Sequence, residues 1–285
     1  MKFTKPSDCR TLANGVEIPC VGFGTWQVQE ANEAVASVRA ALEAGYRHID
    51  TAAAYHNEDR VGQGIRESGI PRSKIFVTSK VHNNMHGYEN TLAACKQSLR
   101  ELGTDYLDLY MIHWPNPLKY RADWAGANAG TWRAFEELYA AGTVRALGIS
   151  NFRSHHIERL LESAKTAPHV NQIRICPGEH PVDVITYCRE KNMLLEAYSP
   201  LGTGRTFQVP ELKAVAQKYN KSIAQICVRW CLQHEYLPLP KSVTPSRIKE
   251  NAAVFDFELD DRDMAAVDSL EGCCDWSRDP DTIEF

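Results

Sequence analysis

The sequence predicts an α/β fold of the (β/α)8 TIM-barrel type, with an N-terminal β-hairpin, as one domain over residues 1–285. Three observations predict it. Eight short runs rich in β-branched and aromatic residues alternate with stretches whose apolar residues recur every three and four positions. Such alternation demands parallel pairing with right-handed crossovers, and eight units favour closure over an open sheet. No Pro-, Gly- or Ser-rich linker divides the 285 residues, a length that one α/β barrel commonly reaches. A doubly wound Rossmann sheet would need a third glycine that Gly22-Phe23-Gly24-Thr25-Trp26-Gln27 lacks.

In chain order, residues 9–20 form two short extended runs around Asn14-Gly15, a dipeptide suited to a type I′ hairpin turn. Strands are expected at 21–24, 46–50, 75–79, 106–113, 144–150, 170–173, 193–199 and 236–241. Helical periodicity covers 31–44, 58–68, 88–102, 131–141, 154–165, 181–191 and 210–234, the last long enough for two helices. Residues 116–130 read as a short loop, and 272–285 as a C-terminal tail.

Composition excludes several classes. Acidic residues outnumber basic ones 36 to 32, so no broad basic surface is available to hold a phosphate backbone, and nucleic acid is not expected as a partner. Apolar runs such as 144–149 fall far short of the roughly 20 residues that cross a bilayer, and the polar start MKFTKPSDCR lacks a signal-peptide core. A soluble cytoplasmic protein, monomeric or weakly oligomeric, is expected. The nine cysteines are scattered without C-x-x-C spacing, which argues against a disulfide framework or zinc knuckle; adjacent Cys273 and Cys274 read as incidental thiols.

In a barrel of this kind chemistry sits at the carboxyl ends of the strands. Those positions are unusually polar here. Asp50 ends the second strand with Tyr55 just beyond, Lys80 follows the third, and His113 ends the fourth before Trp114. Further round stand Ser150 and Asn151, Gln172, Tyr198 and Ser199, then Lys241 and Ser242. Such a ring of donors with one aromatic plane suits a flat, amide-bearing heterocycle with an anion further out.

At these residues the chain resembles the aldo-keto reductase family. The resemblance runs through GFGTW at 22–26, DTA with AYHNE at 50–58, TSK at 78–80 and IHWP at 112–115. It continues through GISNF at 148–152, NQI at 171–173, AYSPLG at 197–202 and PKSVTPSRIKEN at 240–251. The eight peptides keep the family's order and cover nearly the whole chain.

The resemblance implies reduction of small carbonyl compounds by hydride from NADPH, with NADH as a second choice. Tyr55 would be the proton donor; an ammonium that stabilises phenolate lowers a phenol's pKa, each unit being about 1.36 kcal/mol, and Lys80 suits that role. Asp50 would fix Lys80, and His113 would orient the carbonyl oxygen. For the cofactor, the resemblance implies carboxamide binding by Ser150, Asn151 and Gln172, and ring stacking by Tyr198. It places Gly24, Thr25, Trp26, Asp50, Ser199, Leu201 and Gly202 along the same ligand. Lys241, Ser242 and Arg247 would take the 2′-phosphate, with Val243 also along the cofactor and Glu250 and Asn251 toward adenine. Trp26, Tyr55, His113 and Trp114 would wall the substrate pocket.

Each residue has a plainer explanation. Asp50 could cap a helix, Lys80 could be a surface charge, His113 and Tyr55 could be core; their coincidence at strand ends favours the joint reading. Asn151 as a cap on the helix near 154, Lys241 and Arg247 as solvated charges, and Trp26 and Trp114 as core remain open alternatives. Neighbouring His155 and His156 should not point the same way on a helix, and no metal is expected. A nucleotide-binding barrel with little turnover is the competing function, favoured less because a pure binder needs no Asp50–Lys80 pair. A paired-acid hydrolase is disfavoured, Asp50 being the one strand-end carboxylate. Residues 174–178, RICPG, depart from the family in a way expected to reshape the cofactor and substrate edge, and the short segments 116–130 and 202–206 with the limited tail after Gly272 predict an open pocket tolerant of varied aldehydes and ketones.

Overall fold

A computed structural model describes residues 3–28, 30–274 and 278–285; part of the predicted tail, 275–277, lies outside them. Eight strands pair in parallel in sequence order: β3 (Phe23–Gly24), β4 (His48–Asp50), β5 (Phe76–Val81), β6 (Leu109–Ile112), β7 (Leu147–Ser150), β8 (Val170–Arg174), β9 (Leu194–Tyr198) and β10 (Leu237–Leu239). The first and last meet where Gly22 and Gly24 donate their N–H groups to the Pro238 and Pro240 carbonyls, at 3.0 and 3.2 Å. The two prolines have no N–H to return, so the seam is bonded from one side only. Gly22 fits there because a Cβ would collide with the Leu239 and His48 side chains.

The hairpin β1 (Cys9–Thr11) and β2 (Glu17–Pro19) plugs the amino-terminal end of the barrel, where Leu12 and Ile18 pack on Phe76, Leu109, Val170 and Leu237. Its turn differs from the expected type I′. Only Gly15 is left-handed (φ 82°), with Gly15 N donating to Leu12 O and Leu12 N to Val16 O. That is a type I turn closed by a glycine bulge, which leaves Asn14 in an ordinary conformation and frees its amide to bond the Arg145 carbonyl and the Tyr139 hydroxyl.

Helices α1 (Ala31–Glu43), α2 (Glu58–Glu67), α3 (Tyr88–Leu102), α4 (Trp124–Ala140), α5 (Ser154–Leu161), α6 (Val182–Glu190), α7 (Pro210–Tyr219) and α8 (Ile223–Gln233) follow the strands. The main core lies between them and the sheet. Residues 210–234 hold two helices as expected. Helix α4 starts seven residues before the predicted 131, because the Asp123 side chain caps it through Gly126 N (3.1 Å) and outweighs the weak propensity of Gly126 and Gly130. Much of the presumed 116–130 loop is therefore helix. Helices α9 (Pro245–Ala252) and α10 (Asp261–Asp268) are additional; proline at the start of α9 and the Asp260 cap on α10 mark them.

At the barrel's base the buried Asp108 carboxylate is held by Arg72 (2.8 Å), Arg145 (2.9 Å) and Val77 N (2.9 Å), tying β5 to β6. No helix among the described residues is long and apolar enough to cross a membrane.

Candidate active site

At the carboxyl ends of the strands opens a cleft of about 1070 Å³. Its innermost residues come from β4 and β5. After Asp50 the chain turns through a short 3-10 segment, Ala53–Tyr55, and leaves it at His56 in a left-handed conformation. Asn57 clamps this turn: it accepts from Thr51 Oγ1 (2.9 Å) and donates to the Thr25 and Val28 carbonyls (3.0 and 3.1 Å). Thr25 in turn bonds the Asp50 carbonyl through both N and Oγ1. Thr25 is thus a buried brace outside the lining, and Tyr55 is delivered by a bolted turn.

Lys80, wholly buried on β5, places Nζ 2.8 Å from each Asp50 oxygen, 2.9 Å from the Thr51 carbonyl and 5.2 Å from the Tyr55 ring centre. His113 meets Tyr55 edge to face, ring centres 5.7 Å apart. The four expected residues 50, 55, 80 and 113 are therefore one cluster.

Its electrostatics refine the expectation for Tyr55. Burial raises the phenol's pKa, and Lys80 opposes that without overcoming it, so the net shift is upward rather than toward neutrality. Burial alone would lower Lys80, but the Asp50 charge, Tyr55 and the bond to Asp50 hold it above its ordinary value. His113 is pushed well below the usual range, chiefly by burial and then by Lys80, and is a neutral imidazole at pH 7. The resting cluster is a protonated phenol, an ammonium–carboxylate pair and a neutral ring.

Beside it, Ser150 donates to the Gln172 carbonyl (2.9 Å), and Asn151 donates to the His113 carbonyl (2.9 Å) and Ser150 Oγ (3.0 Å). Tyr198 donates to Asn151 Oδ1 at 2.8 Å, fixing its ring against the cleft. Asn151 does not cap α5, whose cap is Arg153; its backbone is left-handed (φ 62°). Gln27, Ser199 and Thr203, also left-handed, line the same cleft, a clustering of strained backbone that marks binding loops.

Of the remaining expected positions, Gly24, Trp26, Trp114, Ser199, Leu201 and Lys241 line the cleft, whereas Gly202, Ser242, Val243, Arg247, Glu250 and Asn251 lie outside its lining. Arg247, Glu250 and Asn251 are on α9, and Asn251 is buried. Lys241 Nζ donates to the Gln27 carbonyl at 3.3 Å on the rim. Five large hydrophobics are exposed among the described residues, and four of them, Trp26, Leu118, Phe207 and Phe285, form the cleft's mouth. Phe285 stacks edge-on against Trp114 (5.5 Å).

Of the next three features, those at Glu196 and at the His155–His156 pair were not expected. Glu196, inside β9, is a second buried carboxyl beside Asp50, reached through Gln172; a glutamate within the apolar run of a strand buried on both faces was its signal. Arg174 lines the cleft and pairs with Glu179 across a tight turn at Gly178 (φ 86°), so the departure at 174–178 builds part of the wall. His155 and His156 do converge, ring centres 3.8 Å apart, with both Nε2 atoms on Asp281 (3.3 and 2.8 Å). His156 Nδ1 accepts the Arg153 N–H, so the neutral ring carries its proton on Nε2, directed at Asp281. Through these two rings Asp281 ties the tail to α5.

The chain is similar to known proteins along nearly its whole length. Residues 20–271 match the model of the Aldo/keto reductase family. The chain is 47% identical over 282 residues to a glyoxal reductase of Bacillus subtilis, covering 99% of each protein. Among solved structures, an aldo-keto reductase from a Medee basin deep-sea metagenome library superposes with a TM-score of 0.91 at 41% identity, covering 97% of this chain and 100% of that one. A Bombyx mori aldo-keto reductase in complex with NADP gives 0.85 at 34% identity, covering 93% of each.

Proposed function

The chain belongs to the aldo/keto reductase family, and on that premise we propose that it reduces aldehydes and ketones with NADPH, Tyr55 donating the proton to the carbonyl oxygen. The observation that carries the reading is the buried cluster of Asp50, Lys80, Tyr55 and His113 at the floor of one cleft.

The residues present suit NADPH. The Gln172 amide nitrogen donates to Asp50 and Glu196, and its oxygen can accept from a ligand carboxamide. Tyr198 offers a fixed ring face, and Lys241 stands at the rim with Ser242 and Arg247 beyond it, a donor set for a phosphate. Bound there, the dihydronicotinamide supplies hydride to the carbonyl carbon.

The protein's part is positional and electrostatic. Tyr55 is protonated at neutral pH and transfers that proton as charge develops on the carbonyl oxygen. Neutral His113 offers a ring N–H to the same oxygen without adding charge of its own. Lys80 stabilises the phenolate left behind, and Asp50 keeps the lysine in place. The exposed apolar mouth of Trp26, Leu118, Phe207 and Phe285 offers a surface on which small carbonyl compounds, 1,2-dicarbonyls among them, can settle. A cytoplasmic setting, where reduced cofactor is maintained, belongs to this reading.

The test is NADPH absorbance loss with a panel of reactive dicarbonyls, aromatic aldehydes and ketones, in parallel with NADH. Oxidation of NADPH by several compounds, slower with NADH, is expected. Tight NADPH binding with no oxidation by any of them would overturn the reading in favour of a nucleotide-binding barrel.

A further inference from the structure

Glu196 is completely buried in the middle of β9, in register with Gln172 on β8 and with Leu237 on β10. A carboxyl group there needs either counter-charge or a proton. Its Oε2 accepts from Gln172 Nε2 at 2.7 Å, while Oε1 is buried without a hydrogen-bond partner. The same Gln172 nitrogen donates to Asp50 Oδ2 at 2.8 Å. One amide NH2 therefore joins two carboxyl groups, of which only Asp50 touches an ammonium.

The groups that face Glu196 are few. Across the barrel, β4 contributes Asp50 and His48, whose Nε2 is 3.9 Å from Glu196 Oε1 and already engaged with Thr78 of β5 at 2.9 Å. Strand β5 contributes Lys80, with Tyr55 beyond it; β8 contributes Gln172, and β10 the uncharged Leu237. Burial and Lys80 hold His48 neutral, down to about 3. One positive charge thus serves two carboxyls, and two carboxylates bridged by one NH2 repel each other.

We propose that Glu196 is a positioning residue for carbonyl reduction, holding Gln172 in place as a neutral acid and, on ionising, weakening Tyr55 as a proton donor. The inference rests on Tyr55 being that donor. A second carboxylate beneath the Asp50–Lys80 pair makes the phenolate harder to form, because Lys80 must then offset two negative charges before it stabilises a third. Burial first, and then the Asp50 charge, push the Glu196 carboxyl up to about 8, so the change falls within an accessible pH range.

The experiment follows the single-turnover rate of NADPH oxidation by a reactive aldehyde from pH 6 to 10 in wild type, Glu196→Gln and Glu58→Gln. Glu58 is the control, a second buried carboxyl bonded to Ser79 and Ser98 and raised to about 7 chiefly by burial. Wild type and Glu58→Gln should lose at least about fivefold in rate across pH 7–9, and Glu196→Gln should be flat over that range. The proposal is overturned by a Glu196→Gln profile that keeps the decline, or by a flat wild-type profile. If Glu196→Gln does not fold, infrared titration of wild type decides instead: a protonated-carboxyl band disappearing near pH 8, separate from that of Glu58, is required, and its absence is decisive against. Failure to turn over any carbonyl in wild type would strike the reductase reading rather than this one.

Discussion

Lys80 Nζ lies equidistant, at 2.8 Å, from the two carboxylate oxygens of Asp50, and both groups are shut away from solvent on neighbouring strands. The bidentate grip fixes the ammonium 5.2 Å from the centre of the Tyr55 ring. Replacing Lys80 by Met removes the cation that stabilises phenolate. The rate of carbonyl reduction should fall by about 10²–10⁴-fold, measured as single-turnover NADPH oxidation. A rate within a few-fold of wild type would mean that the lysine is only structural.

Lys241 is one of the cations lining the cleft, and NADPH differs from NADH by a phosphate that such a cation can bind. Losing one charge-assisted contact costs about 1.5–3 kcal/mol, so Lys241→Ala should weaken NADPH binding roughly tenfold to a hundredfold while sparing NADH. Fluorescence titration with both nucleotides checks this. Equal losses for the two would place the phosphate elsewhere.

Asp108 ties β5 to β6 by pairing with Arg72 and Arg145 at the end of the barrel away from the cleft. Removing the buried carboxylate leaves the Val77 N–H and two partly exposed arginines without it, at a cost of about 1–3 kcal/mol. Asp108→Ala should lower stability by that order in urea titration while the pH profile of turnover keeps its shape. An unchanged unfolding midpoint would contradict the assigned role.

Stability should peak near pH 6.5. Burial, the leading cause in each case, depresses His48 to about 3, His86 and His156 to about 4, and His113 well below its ordinary value. Between pH 6.5 and 4 the unfolded chain therefore binds more protons than the native one at these sites, and stability is lost as pH falls. Glu58 and Glu196, raised to about 7 and about 8 mainly by burial, act oppositely. Their contribution is complete below their unfolded pKa and is lost as pH rises through 7 and 8. Each unbalanced proton is worth about 1.4 kcal/mol per pH unit, and four histidines outweigh two glutamates on the acid side. Thermal midpoints recorded from pH 4 to 9 should form a dome, and a steady rise to pH 9 would refute it.

The barrel is legible in the sequence because each strand is an apolar run and each crossover helix keeps its period. The cluster at 50, 55, 80 and 113 is legible because Asp50 ends a strand, Tyr55 and His113 follow strands, and Lys80, expected just after the third strand, lies next to the last residue of β5. Elsewhere, interactions distant in sequence decide. The start of α4 depends on the Asp123 cap and reads as loop through its glycines. The convergence of His155 and His156 requires Asp281, more than a hundred residues away. Tyr55's upward shift comes from burial, which sequence proximity to a lysine strand does not reveal.

The most direct test is Tyr55→Phe, which keeps the ring and removes only the hydroxyl. NADPH binding, followed by fluorescence titration, should match wild type, while single-turnover reduction of a reactive aldehyde should drop by at least about 10²-fold. Wild-type turnover by this variant would contradict the assignment of the proton to Tyr55.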